Sequence, residues 1–243
     1  MAFLLETYGR YILYFILIPA LLPVFLIFGY IYRLDKHERE PLGFVLKVLM
    51  WGAIFSLPCA GVERFAIYMI ESFYDSETIK YAFIENTVGV ALVEELSKYL
   101  VLMIFVWKNK NFDYRYDGIV YGTTVSLGFA ALENILYVMN FGTGVSFARA
   151  IFAIPGHTTF GIFMGFFLSR AKTQLLDNHA SGEFILKMLA LLVPMFIHGC
   201  YDFLLSDQVA ETGYQFVFYI YVILLDIFAW KIIQHEFKTD RIL

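Results

Sequence analysis

Residues 11–40 read YILYFILIPALLPVFLIFGYIYRLDKHERE, an apolar run from Tyr11 to Tyr32 closed by Arg33, Lys36 and Arg39. A bilayer core is spanned by roughly 20 apolar residues as helix, so this run is long enough to cross one. It is too long for the core of a signal peptide, no small-x-small cleavage site follows it, and its basic flank acts as a stop-transfer signal. It reads as a retained first transmembrane helix. The same pattern recurs along the chain, giving seven expected spans: 11–32, 43–70, 83–107, 117–140, 147–170, 184–205 and 214–233.

Composition agrees with that reading. Of 243 residues, 60% are hydrophobic and 16% charged, against about a quarter charged in an ordinary soluble domain. The gaps between spans are short and leave no room for a soluble domain, so residues 1–243 form one membrane domain. The expected fold is an all-α polytopic helix bundle in a lipid bilayer. Nothing is basic enough to suggest nucleic acid as a partner. Cys59 and Cys200 both lie in apolar runs and form no CxxC spacing, so neither a disulfide framework nor a thiolate metal site is implied.

Basic residues fix an orientation. Arg33, Lys36 and Arg39 follow the first span; Lys108, Lys110 and Arg115 the third; Arg170 and Lys172 the fifth; Lys231, Lys238 and Arg241 the seventh. The alternate gaps hold almost none: Lys80 sits beside Asp75 and Glu77, and 141–146 and 206–213 contain no Lys or Arg. The N-terminus is therefore expected outside and the C-terminus in the cytoplasm. Seven spans in this orientation also suit a retinal protein, but that needs a lysine near the middle of the last span, and Lys231 lies at its end.

Ionisable side chains within spans cost several kcal/mol unless paired or hydrated, and so mark function by default. Four consecutive spans carry them: Glu94, Glu95 and Lys98; Glu133 with Asn134; His157; and His198 with Asp202. Helical periodicity puts Glu94 and Lys98 on one face with Thr87 and Ala91, and turns Glu95 about 100° away while leaving it within reach of Lys98. Gly118, Gly122, Ser126 and Ala130 form a ladder of small residues beside Glu133. His157, Gly161, Gly165 and Ser169 form another, and such ladders pack helices closely. At 1.5 Å per residue, Glu94 lies ~16 Å below the outer surface, Glu133 and His198 ~10 Å, and His157 ~12–15 Å. The groups share a depth in the outer half of the membrane.

Bland roles suit some of these residues. Lys98 balances charge, Asn134 bridges helices, Phe129 packs, and Asp226 makes a structural hydrogen bond. Asp202 is open to three: orienting His198, serving as a ligand, or lying at the outer interface.

Taken in order, Glu94-Glu95-x-x-Lys98, Phe129-x-x-x-Glu133, His157-x-x-x-Gly161 and His198-x-x-x-Asp202 resemble the four motifs of the PrsW family of intramembrane proteases. That family lies within the wider group of CAAX prenyl endopeptidases and Abi proteins. The acidic, Pro-containing segment Asp35-Lys36-His37-Glu38-Arg39-Glu40-Pro41 is also similar. The second motif ends in Glu rather than the His of CAAX-type members. The resemblance implies an endopeptidase of the bacterial cytoplasmic membrane that cuts a single-span, membrane-anchored regulator such as an anti-sigma factor. Other intramembrane proteases are disfavoured, because HExxH, a GxSxG-like serine and a GxGD motif are all absent.

Amide hydrolysis needs an activated water and a stabilised oxyanion. One chemistry places zinc on His157, His198 and Glu133, with Glu94 or Glu95 as base, since two His and one carboxylate form a catalytic zinc set. The other is metal-free: Glu94 activates water with Glu133, while His198 and Asp202 hold the oxyanion side. A cation or proton-coupled transporter would use the same acidic and His residues as a relay. Such proteins commonly carry inverted repeats, and this chain shows no internal repeat.

Overall fold

The computed structural model describes residues 7, 9–10, 12–35 and 38–243. Tyr11, which begins the first expected span, and Lys36 and His37 of the acidic segment lie outside the described residues. A π-helical stretch (Ile12–Leu17) leads into α1 (Ile18–Leu34), followed by α2 (Leu42–Glu71) and α3 (Ile79–Ile84). A second π stretch (Glu85–Ala91) joins α3 to α4 (Leu92–Val101), and a third (Leu102–Val106) closes that segment. Then come α5 (Arg115–Phe141), α6 (Gly144–Ile151), α7 (Ala153–Leu176), α8 (Ala180–Leu205), α9 (Asp207–Ala210) and α10 (Phe216–Lys238). Among the described residues there is no strand, only an isolated bridge between Tyr114 and Ile242.

Among the described residues, five helical segments are long and apolar enough to cross a membrane: α2, α5, the α6–α7 pair, α8 and α10. That is fewer than the seven expected. The first and third expected spans are helical, but π stretches divide them. The α-helical part of the first is only 17 residues, and α4 is 10. A hydrophobicity pattern carries no sign of such an interruption.

The arrangement is organised about α5. Of its membrane window 78% is buried, against 17% for α10 and 22% for α2. Its start is fixed by polar contacts. The backbone N–H groups of Asp113 and Tyr114 donate to the Asp117 carboxylate at 3.0 and 2.5 Å, and Asp240 in the C-terminal tail accepts from the Tyr116 N–H at 3.0 Å. These satisfy orphan donors of a helix N-terminus. The acidic segment is anchored to the same helix, for the Tyr121 hydroxyl donates to Glu40. Burial lifts the Glu40 carboxyl to about 7.

The two small-residue ladders meet as the sequence suggests. A Cβ on Gly118 would overlap the backbone of Gly165, one on Gly122 the Gly161 carbonyl, and one on Gly165 the Gly118 carbonyl. α5 and α7 thus cross in backbone contact, which only glycine on both sides permits. On another face of α5, Gly128 packs against the Leu49 carbonyl of α2. α7 itself begins at a break. Pro155 has no N–H to offer the Ile151 carbonyl, and the chain turns out of helix at Phe152 just before it. The break separates α6 from α7 near the C-terminal end of α5.

Overpacking this seam should be costly where overpacking elsewhere is not. Gly165→Leu is expected to lose about 3 kcal/mol or more of stability. Gly43→Leu faces open space and serves as the control. Thermal unfolding in detergent should show a lower midpoint for the first variant and little change for the second. Equal midpoints would mean that α5 and α7 do not cross at this seam.

Candidate active site

Lys98 gathers the site. Its ammonium lies 3.2 Å from Glu94 Oε2, 2.6 Å from Glu95 Oε1 and 3.1 Å from His157 Nδ1. It also lies 4.5 Å from the centre of the Phe129 ring, a cation–π distance. Its side chain is fully buried. The period of α4 stacks Glu94 and Lys98 four residues apart and brings Glu95, three residues before, to the same cation. Two carboxylates and the face of the Phe129 ring thus surround this one ammonium.

Each histidine is held between partners. His157 Nε2 is 2.9 Å from Glu133 Oε2. An ammonium only donates, so His157 Nδ1 accepts from Lys98, and in the neutral ring Nε2 carries the proton and donates to Glu133. His198 has Glu95 Oε1 2.9 Å from Nδ1 and Asp202 Oδ2 3.1 Å from Nε2. Its ring stacks on Phe160 with centroids 4.5 Å apart, and stands 5.4 Å from the His157 ring. Of the roles open to Asp202, orienting His198 is the one its contact serves.

The structure thus brings Glu94, Glu95, Lys98, Glu133, His157, His198 and Asp202 into one contacted network from α4, α5, α7 and α8. The π stretch before α4 contributes to the fit. Gly199 of α8 packs directly on Thr87 within it, so close that a Cβ would stand 2.7 Å from the Thr87 Cα. That approach seats His198 beside Glu95. π turns within helices are frequent at functional sites.

Donor atoms of Glu94, His157 and His198 all lie within 4.8 Å of one another. Two His and one carboxylate match the protein ligands of a catalytic zinc site with an open position, so the donor set fits a metal. This trio differs from the set expected from the sequence in having Glu94 where Glu133 was placed. Glu133 instead meets the His157 ring from the other side.

A cavity of about 860 Å³ opens beside the network, and Glu94, Glu133, His157, His198 and Asp202 line it. Glu95 is fully buried and does not. The cavity reaches Asn140 and Phe141 at the end of α5 and Leu205 and Ser206 at the end of α8.

Among the ionisable cavity residues that escaped the sequence reading are Glu63, Arg64 and Arg149. Arg149 of α6 pairs with Glu133 at 3.2 Å, and Glu63 of α2 accepts from the Cys59 thiol at 3.1 Å. Both are ionisable residues within expected spans, so the criterion that selected Glu94 would have found them. Asn134 bridges helices as expected. Its amide donates to the Ala20 carbonyl of α1 at 2.8 Å and accepts from Arg149 Nε at 2.7 Å. Asp226 accepts from Thr159 Oγ1 at 3.1 Å, the structural bond expected of it.

The family described as PrsW family intramembrane metalloprotease matches residues 40–228. Protease PrsW of Oceanobacillus iheyensis is 37% identical over 191 residues, covering 79% of this chain and 83% of that protein. Protease PrsW of Geobacillus kaustophilus is 36% identical over 73% of each chain, and that of Bacillus subtilis 32% identical over 85% of this chain and 90% of its own. No solved structure matches the chain. With its four motifs joined in one buried network and its relatives alike over most of their length, the chain belongs to the PrsW family of intramembrane proteases, multi-pass hydrolases of the bacterial cytoplasmic membrane.

Proposed function

We propose that this protease cuts a single-span membrane protein, such as an anti-sigma factor, near the outer side of the membrane, the first cleavage of its substrate. The observation that carries this reading is the cavity. Its wall holds the carboxylates and histidines of the network, and it runs toward the ends of α5 and α8 rather than toward their starts. In the proposed topology the first and third expected spans also cross, giving seven, with the N-terminus outside. Those ends then face the extracytoplasmic side, and water enters from there.

Within the site, Glu94, His157 and His198 would hold zinc. Bound there, the metal supplies Lewis-acid polarisation of the scissile carbonyl. Glu133 borders the cavity and acts as general base, taking a proton from the attacking water and returning it to the leaving amide nitrogen. Glu95 and Asp202 hold His198 from its two sides. Lys98 neutralises Glu94 and Glu95 and is a positioning residue, since it is sealed from the cavity.

Substitution separates these roles. Purified protein incubated with a single-span substrate should release product peptides, and Glu94→Gln, Glu133→Gln, His157→Ala and His198→Ala should each slow release about 100-fold or more. Metal analysis of the same samples should find zinc retained in Glu133→Gln and lost in His157→Ala and His198→Ala. Normal activity in both histidine variants would overturn the assignment.

Topology has its own test. A cysteine at Asn109 should be shielded from an impermeant thiol reagent in intact cells, and one at Gly213 labelled. The reverse pattern would place the cavity mouth on the cytoplasmic side.

The cut position follows from the solvent. Backbone in lipid stays helical because its polar groups have no other partner, so a spanning substrate resists attack along its middle. Near its outer end water replaces those hydrogen bonds and the helix frays. Mass spectrometry of the fragments should place the primary cut in the outer turns or the adjoining juxtamembrane segment. A primary cut in the cytoplasmic half would reject this reading while leaving the protease activity itself intact.

A further inference from the structure

Arg149 is a buried cation aimed at the site by a helix that otherwise belongs to the surface. α6 carries Phe147 at 75% exposure and Ile151 at 46%, yet the Arg149 side chain is only 13% exposed. Bringing a guanidinium into a bundle is expensive unless its charge and its N–H groups are met.

Three contacts, all on the C-terminal turns of α5, meet the charge and the Nε–H group. Nε donates to Asn134 Oδ1 at 2.7 Å, Nη2 faces Glu133 Oε2 at 3.2 Å, and the guanidinium lies 3.9 Å from the centre of the Tyr137 ring. Asn134 cannot turn away, because its amide nitrogen is committed to the Ala20 carbonyl of α1. Its oxygen therefore fixes the Nε end of a planar group, and the ring of Tyr137 fixes the plane. With both set, the remaining edge is held toward one carboxylate oxygen. That oxygen is also the one 2.9 Å from His157 Nε2. Nη2 is buried and completes no hydrogen bond of its own, so its interaction with Glu133 is that of charge held in place.

We infer that Arg149 is a positioning residue that holds Glu133 against His157 and toward the cavity. The inference rests on the role proposed above for Glu133 as general base. A carboxylate with Arg149 removed would keep His157 as a partner but lose the constraint on its second direction, and a base displaced by about 1 Å loses on the order of 100-fold in rate.

Arg149→Met, which keeps an apolar stem and removes the guanidinium, should lower kcat on a single-span peptide substrate by on the order of 100-fold with KM within about 3-fold. Arg149→Lys keeps a charge within reach of Glu133 and should recover at least about a tenth of the wild-type kcat. A raised KM at unchanged kcat would mean that Arg149 touches substrate instead, and a lysine variant as slow as the methionine one would deny the role of its charge.

Thermal midpoints of wild type, Arg149→Met, Glu133→Gln and the double variant supply a reading independent of catalysis. If Arg149 acts through Glu133, the double variant should melt no lower than Arg149→Met alone. Strictly additive losses would overturn the inference. Absence of cleavage by the wild type would instead reject the proposed substrate, and the melting cycle would still report whether the two residues are coupled.

Discussion

One ammonium inside the bundle governs the rest. Lys98 is fully buried, and a bare charge there would be untenable; it is stable because two carboxylates from its own helix and an imidazole from α7 surround it. Each of those partners passes the constraint on. Glu95, saturated on one oxygen by Lys98, takes His198 from α8 on the same oxygen. His157, with Nδ1 committed to Lys98, presents Nε2 to Glu133 of α5. Removing the cation would leave three buried acceptors facing one another, and no single helix could relax without disturbing the other three.

This network tolerates little error in helix spacing, which explains the glycine seam. His157 and Glu133 sit at one end of the α5–α7 crossing, and Gly118, Gly122, Gly161 and Gly165 set the separation of the two backbones along the rest of it. Side chains of any size there would push α7 outward and carry His157 away from both Lys98 and Glu133. By contrast α6, beyond the break at Phe152, lies largely on the surface. Precision is built into the glycine stretch of the crossing and access into the end beside the cavity.

Much of this was legible in the sequence because helical periodicity is simple arithmetic. The four-residue spacings of Glu94 and Lys98, of His198 and Asp202, and of the two small-residue ladders each predicted a shared face, and each face proved buried or in contact. Depth, counted at a fixed rise per residue, brought the groups of four helices to one level. What periodicity could not supply was departure from itself. The π stretches that divide the first and third expected spans leave no trace in hydrophobicity, and they are why five helices rather than seven meet the length and apolarity of a span. Nor does spacing say which carboxylate meets which histidine across helices. Glu94 rather than Glu133 joins the two histidines in the gathered trio because Glu133 approaches His157 from the far side of its ring. Arg149 and Glu63 were missed for a plainer reason, since each sits in a stretch read only for its apolar character.

The charges in direct contact do not balance among themselves, and the imbalance bears on the chemistry. Glu94, Glu95, Glu133 and Asp202 supply four carboxylates, and Lys98 and Arg149 two fixed cations. Among the described residues of this contacted set, two negative charges are left over. One divalent cation on the trio of Glu94, His157 and His198 would neutralise them, whereas a second proton on His157 would set an N–H against the Lys98 ammonium from which its Nδ1 accepts. A metal held there would compete with protons, because an imidazole nitrogen or carboxylate serves as a ligand only once it has given its proton up.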